Sequence, residues 1–376
     1  MKKRVFTFTK FTILLLIGGM SVLMLHNAPL PVSHASASSD FQLDPVWKEI
    51  IYYGSLAPNS HNAQMWKVKI RSAQSFILTL DSAHLLPEVD PENREALISL
   101  GAFLENVIAI SPKYDLQAEV EIIAITKQDE EVARVTFVKN KDEESKQTAL
   151  YQEGLIKTRH TLRKPYHKEE LSTQDLSALK SILSSPGSRC YYFPLSSAEG
   201  AYLADAIVAS MAKQVASDEK QREFANYTRF SKKEAEKLRD GITPEMMGLS
   251  GIKKWFVSTF FDQETAMSDS FRQQTINTAK KQAFNCAGFF LICSEDQTVE
   301  SLINTGRLLQ RFWLTATAKQ IAVHPMSSVL EESPWQEEIS AKLGITENIQ
   351  MVLRVGYVKD YGERSSKRRP VPVISE

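Results

Sequence analysis

Two stretches of this chain carry the same helical signature, and together they narrow what it can fold into. Leu97-Ile98-x-x-Gly101-x-x-Leu104 returns as Leu302-Ile303-x-x-Gly306-x-x-Leu309. In each copy the apolar residues fall on one helical face, and the long helix leads into a strand. A glycine inside a helix costs about 1 kcal/mol relative to alanine. Its presence at the same place in both copies therefore predicts a point where two helices pack closely. The echo is short, and either two related half-units or a coincidence between two apolar helices fits it.

Around these helices the chain interleaves strands and further helices. Residues 44–54 read as a short helix. Trp66, Val68 and Ile70 alternate with lysines, and Phe76, Leu78 and Leu80 alternate with polar residues, which predicts a hairpin with one buried face. Asp90-Pro91-Glu92 predicts the start of the first long helix, with proline at its first position. Residues 116–125 and 132–138 read as strands, and the charged stretch 140–147 as a connector. Ser172 opens a helix, 189–193 is a short strand and 196–215 a long amphipathic helix. Ser231 and Glu234 form a capping box for a helix that Gly241 closes. Residues 243–261 read as irregular but rich in large apolar groups. A central strand (289–293), a long helix (300–319), a helix bracketed by Pro334 and Gly344, and a last strand (350–358) follow. With no regular strand–helix–strand rhythm and no glycine-rich dinucleotide fingerprint, the pattern indicates an α+β layer fold rather than a Rossmann sheet.

Composition sets the remaining bounds. The 376 residues, 43% of them apolar, suffice for a large core or for two fused modules. The 45 basic and 45 acidic groups leave no excess of the kind that tracks nucleic acid. Residues 1–37 stand apart. Lys2, Lys3 and Arg4 precede an apolar run from Phe11 to Leu25, then Pro29, Pro31 and the small-residue pair Ala35-x-Ala37. This reads as an export signal peptide with a cleavage site, leaving no stable membrane span. The alternative is an uncleaved membrane anchor, for which the run is short against the roughly 20 residues a spanning helix needs. Cys190, Cys286 and Cys293 read as free thiols, the latter two on opposite faces of a buried strand, and no metal-ligand spacing is present.

Three polar constellations remain. Ala57-Pro58-Asn59-Ser60-His61-Asn62-Ala63-Gln64-Met65-Trp66 places carboxamides between a helix and a strand; they suit a heterocycle's donors and acceptors or an ordinary turn. Arg159-His160-Thr161-Leu162-Arg163-Lys164 brackets a hydroxyl with guanidinium forks; it suits a phosphate or a solvated basic stretch. Arg354-Val355-Gly356-Tyr357 and Lys367-Arg368-Arg369-Pro370 could complete the same site or form a basic tail.

In this order the three resemble the FMN-dependent nitroreductase superfamily, and within it the duplicated single-chain branch that includes the mycobacterial Acg-type proteins. Ala57, Pro58, Asn62, Gln64 and Trp66 match that family's first motif, with Asn59 and Met65 departing from it. Arg159, Thr161, Arg163, Pro165 and Tyr166 match the second, with His160, Leu162 and Lys164 departing. Arg354 to Tyr357 and Arg368 to Pro370 match the ending, and residues 306–331 resemble the branch's helix and the loop after it. The resemblance runs from about residue 45 to the end.

The resemblance implies a nitroreductase-like fold of two fused half-units, each with a central, mostly antiparallel sheet flanked by helices. The first (41–150) would carry the flavin-ring loop, the second (151–376) the FMN phosphate site and, over 243–261, either a lid or a helical excursion packed on the core. One FMN would lie between them. Arg159, Arg163, Arg368 and Arg369 would hold its phosphate, and Thr161 the phosphate or ribityl chain. Asn62, Gln64 and the adjoining Ser60 would face the ring or sugar alcohol, and Met326, Ser327 and Ser328, in the loop from His324, its reactive edge. No side chain is implied as catalytic, because the flavin carries the chemistry. The implied activity passes electrons from a reduced donor such as NAD(P)H to a small-molecule nitro, quinone or similar acceptor. The alternative is a catalytically weak, FMN-sequestering protein, with Met246, Met247 and Trp255 folded over the flavin. A pseudo-dimer within one chain makes a monomer sufficient. Export to the periplasm or another extracytoplasmic space is expected, where pyridine nucleotides are scarce.

Overall fold

The computed structural model describes residues 43–183 and 187–375; the expected signal peptide, residues 1–37, lies outside the described residues. In chain order the strands are β1 (Trp66–Ser72), β2 (Ser75–Leu80), β3 (Leu116–Ile122), β4 (Glu131–Lys139), β5 (Ser188–Pro194), β6 (Gly288–Ser294), β7 (Ile321–Pro325), β8 (Asn348–Tyr357) and β9 (Val373–Ser375). They form two sheets, ordered β3-β4-β2-β1-β9 and β5-β6-β8-β7. Without β9, the first sheet read from β1 and the second read from β5 have the same order, and every neighbouring pair in both is antiparallel. Each has one long helix between its second and third strands in chain order, Arg94–Ile110 in the first and Val299–Ala318 in the second. The half-units differ in two connections. Strand β3 runs to β4 without a helix, whereas Ser328–Glu331 and Trp335–Leu343 lie between β7 and β8. A tight turn joins β1 to β2, whereas the segment from β5 to β6 carries several helices, including Ala198–Ala216, Gly251–Phe260 and Asp269–Ala283.

The two long helices pack on each other through the repeated glycines. A Cβ on Gly101 would lie 2.1 Å from the carbonyl oxygen of Ile303, and one on Gly306 would lie 1.9 Å from that of Ile98. The contacts are reciprocal, as a two-fold relation between the half-units requires. Behind the crossing, Gln310 Nε2 donates to Asn106 Oδ1 (2.6 Å) and Arg307 pairs with Glu105 (3.2 Å). The main core joins these helices to β2, β6, β7 and β8 through Phe76, Leu78, Phe290, Ile292, Val323 and Leu353. A second core lies on the other face of the second sheet, where Phe289, Leu291 and Cys293 meet Leu203 and Ile207. Strand β6 is therefore buried on both faces, which explains its unbroken apolar run.

Several sequence expectations shift. The helix 94–110 begins after the Asp-Pro step, because Asn93 takes a left-handed conformation (φ 56°) and the Asp90 carboxylate accepts from the Ala96 N–H (2.9 Å). The charged stretch at 140–147 is partly helical. Asp142 caps the helix Glu143–Thr158 by accepting from Ser145 N (2.9 Å), so the division at 150/151 falls inside a helix. The segment 243–261 contains a regular helix, Gly251–Phe260. Cys286 precedes β6, so strand alternation does not reach it; it and Cys293 are free, buried in the same second core.

Strand β9 was not expected. It pairs parallel with β1, Val68 opposite Val373 and Ile70 opposite Ser375, and Val68 N donates to Pro372 O (2.9 Å). The end of the second half-unit thus closes the edge of the first sheet. Replacing Gly101 or Gly306 by alanine should destabilise the chain by about 3 kcal/mol or more, because the methyl meets backbone on both sides. Urea unfolding measures this; a loss below 1 kcal/mol would mean that the helices separate easily.

Candidate functional site

The loop after the first helix (Pro45–Ser55) turns through three non-glycine residues of positive φ, His61 (51°), Asn62 (55°) and Gln64 (56°). Asparagine tolerates this region; histidine and glutamine do so less readily, so outside bonds must hold the shape. Asn62 Nδ2 donates to Gly241 O (3.0 Å) and Lys367 O (3.2 Å), and Gln64 N donates to Asn59 Oδ1 (2.9 Å). Gln64 Nε2 donates to Arg239 O (2.9 Å) and Asn62 O (3.2 Å), while its Oε1 accepts from Arg369 N (2.7 Å). The loop is thereby clamped between residues 239–241 and 367–369.

The segment 159–167 is laid along the second sheet by Leu162 N to Val323 O (3.5 Å), Tyr166 N to Asn285 O (2.9 Å) and His167 N to Tyr357 O (2.9 Å). Arg354, fully buried, fixes it further. Its Nη2 donates to Leu162 O (3.1 Å) and Lys164 O (3.0 Å), its Nη1 to Gln282 O (3.1 Å), and its guanidinium stacks on Tyr166 (4.0 Å). The Arg354-Val355-Gly356-Tyr357 motif is thus framework rather than part of an anion site. Arg354 Nε also donates to His324 Nδ1 (3.0 Å). An arginine N–H can only donate, so the imidazole is neutral and its proton sits on Nε2. Burial, reinforced by Arg354 and Arg163, pushes His324 well below the ordinary histidine range.

Two adjoining cavities result. The larger is lined from the first half by Asn59, Ser60, His61 and Glu95, and from the second by Thr161, Arg163, Trp313, His324, Ser327, Ser328 and Glu331. The smaller is basic, lined by Asn62, Arg159, His160, Thr161, Arg163, Met246, Ser365, Ser366 and Arg368. No carboxylate among the described residues pairs with Arg159, Arg163, Arg364 or Arg368. Burial, with Arg364 adding to it, pushes Arg159 down to about 9. Burial likewise pushes Arg163 and Arg364 down to about 10. Arg368 is lowered by burial, then by Arg364 and Arg159. Arg159 is only 2% exposed and makes one hydrogen bond, Nη2 to Leu56 O (3.0 Å), while its Nε and Nη1 have no partner. Two further buried nitrogens without partners, His61 Nδ1 and Trp313 Nε1, belong to residues lining the larger cavity. Buried cations and N–H groups are costly when unpaired, so the orphan donors of Arg159 and Trp313 mark a place for an anionic, acceptor-rich ligand.

Ser60, Thr161, Arg163, Ser327 and Ser328 line the larger cavity, and Asn62, Arg159 and Arg368 the smaller. Three other expected residues stand behind the walls. Gln64 spends its carboxamide on backbone, as above. Arg369 is engaged by Asp240 (2.5 Å) and by Ala63 O (2.5 Å). Met326 is buried in the second core, its N–H donating to Val352 O (2.8 Å). Arg368 lines the cavity but donates to Ser55 O (2.6 Å), Ala57 O (2.9 Å) and Asn62 Oδ1, so it shapes the loop. Of the expected lid, only Met246 lines either cavity; its carbonyl accepts from Arg163 Nη1 (3.1 Å). The sequence reading missed Arg364, Trp313, Glu95 and Glu331. Glu95 had a weak local signal, as an acid within a mostly apolar buried helix that also carries Glu105 and Asn106.

Glu95 and Glu331 reach the larger cavity from opposite half-units and hydrogen-bond each other. Burial works to raise Glu95, but Arg94 at 3.0 Å and the hydroxyls of Ser60 and Ser327 outweigh it and hold the carboxyl low. Burial and the charge of Glu95 push Glu331 well above the ordinary carboxylate range, and Gln214 Nε2 donates to it (2.5 Å). The two carboxyls are thus driven apart, Glu95 towards the ionised form and Glu331 towards the protonated one.

The family model described as "Nitroreductase family" matches residues 156–357, more than half of the chain. The chain belongs to the nitroreductase family. Its fold is that of nitroreductases, with two half-units in one polypeptide. Similar solved structures include a nitroreductase with bound FMN from Desulfitobacterium hafniense, 15% identical over 59% of this chain and 93% of that one, with a TM-score of 0.35. An FMN-dependent nitroreductase from Mycobacterium smegmatis, in complex with NADPH, is 17% identical over 56% and 89%, with a TM-score of 0.38. A candidate nitroreductase from Anabaena variabilis is 10% identical over 88% and 94%, with a TM-score of 0.45. No curated protein matches this nitroreductase-family chain.

The raised Glu331 carboxyl gives a pH signature. Below the ordinary carboxylate range, folded and unfolded chains both hold the Glu331 proton. Above it the unfolded chain releases the proton and the folded chain does not, so this group's contribution to stability falls as pH rises towards its folded pKa. Glu331→Gln removes that slope. Its stability relative to the parent should grow with pH by up to about 1.4 kcal/mol per unit in that window; parallel stability curves would show that Glu331 ionises normally.

Proposed function

We propose that this protein is an FMN-binding oxidoreductase that passes electrons from a reduced donor such as NAD(P)H to a small-molecule nitro, quinone or similar acceptor, and that it arose by internal duplication. The observation that carries the reading is Arg159, a buried guanidinium with two unpartnered nitrogens in a cavity rich in arginine and free of carboxylate. That donor set fits a phosphate, and the adjoining cavity, with Trp313, Ser60, Thr161 and Ser327 on its walls, fits a polar ring system beside it. The common topology of the two sheets and the reciprocal glycine contacts support duplication. FMN in this site would supply hydride transfer to and from a substrate in the same cleft.

The chain's residues have separable tasks. Arg159 and Arg163, with donors left over after their protein bonds, would bind the phosphate. Arg368, Asn62 and Gln64 hold the loop that forms one wall. Trp313 stacks beneath the Arg159 guanidinium (4.7 Å to the ring centre) and holds it in place. His324, neutral and protonated on Nε2, would donate a hydrogen bond without adding charge. Glu331, its carboxyl raised well above the ordinary range, would supply a proton in the cleft, where a substrate gaining electrons must also gain protons.

Arg159→Ala should weaken FMN binding about 10- to 100-fold, the worth of one or two charge-assisted hydrogen bonds, in a fluorescence titration. Unchanged affinity would remove Arg159 from the site. A visible spectrum of the purified chain with added FMN, before and after anaerobic NADPH, tests the whole reading. A bound flavin that bleaches is expected; one that stays oxidised points to storage or another donor, and the absence of bound flavin overturns the proposal.

A further inference from the structure

The helix Gly251–Phe260 presents an apolar face to solvent. Ile252, Trp255, Phe256 and Phe260 recur at steps of three and four, so they share one side. They are 83%, 60%, 48% and 58% exposed. Their rings form one patch, Phe260 lying 5.8 Å from Trp255 and 5.0 Å from Phe256. The other side is anchored, with Val257 and the following Phe261 packing on Ala225, Phe230 and Ala266. The helix thus rests on the protein by one face and holds out a second. None of the four exposed residues lines either cavity.

A contiguous exposed patch of this kind usually marks an interaction surface. Its composition selects the partner. Tryptophan and phenylalanine on one side, with the exposed Lys253 beside them, are the makings of a helix that lies in a membrane interface, its rings among acyl chains and its lysine at anionic headgroups, while Lys254 pairs with Glu245 (2.6 Å). The export signal read in residues 1–37 would deliver the chain to a membrane-bounded compartment, where such a lipid surface is at hand. We propose that the helix 251–260 lies flat on an anionic lipid surface and docks the folded protein there. The binding is independent of flavin.

Vesicle flotation tests it with the chain from residue 38 onward, which contains all three hydrophobic cores but not the N-terminal run. The probes are vesicles of phosphatidylcholine alone and of phosphatidylcholine with phosphatidylglycerol. The protein should float with the anionic vesicles and much less with the neutral ones. The triple variant Trp255→Ser, Phe256→Ser, Phe260→Ser should bind at least 10-fold less with an unchanged melting temperature, since the three side chains are exposed. Lys253→Glu should reduce the preference for anionic lipid. Absence of flotation, or flotation undiminished in the triple variant, overturns the proposal. So does a dimer in solution that the triple variant abolishes without any vesicle binding, which would assign the face to a second copy of the chain.

Discussion

Everything else in the molecule is built around one contact, the crossing of two helices where Gly101 and Gly306 each lie against a partner carbonyl. The approach is too close for any side chain, and a pair of helices so close fixes the sheets on either side of them. It also explains why the site is shared. With the half-units locked at this crossing, the Ser60–Gln64 loop and Glu95 of the first are brought against Arg159, Arg163 and Glu331 of the second, and neither set makes a cavity alone.

The second constraint is the handling of buried positive charge. Arg354 and Arg368 are both deeply buried, but carbonyl oxygens, an imidazole nitrogen and a carboxamide oxygen meet their N–H groups. Such guanidiniums act as rigid struts. Arg159 is equally buried and largely unmet. The same residue type therefore serves two purposes within one cluster, and the count of satisfied donors separates them.

That distinction shows how much could be seen in the sequence. The alternation at 66–80, the apolar run at 289–293 and the glycine echo gave the sheets, the central strand and the helix crossing, since each rests on local periodicity. The Ser60–Gln64 loop and the 159–163 segment were recognisable as polar constellations, and both do line the cavities. Which atoms remain available was not recognisable. A glutamine that clamps backbone, as Gln64 does, and one that meets a ligand look alike in a sequence. Glu95 and Glu331 meet only in three dimensions. Strand β9 is three residues long, follows Pro370 and Pro372, and pairs with a strand near the other end of the chain, so no local pattern announces it. The helix 251–260 was obscured because Val257 and Phe261, on its anchored side, fill in the spacing of its exposed face.

Strand β9 has a consequence for biosynthesis. Ser365, Ser366 and Arg368 line the arginine cavity, and hydrogen bonds from Arg368 to Ser55 O and Ala57 O, together with the pairing of β9 and β1, hold that stretch against the first half-unit. A chain emerges from the ribosome N-terminus first, so strands β1 to β4 and the helix crossing can form while the cavity still lacks a wall. The cavity closes only once residues 365–368 have joined the first half-unit. A chain cut before Ser365 would keep the helix crossing and most of its core but lack this wall of the cavity.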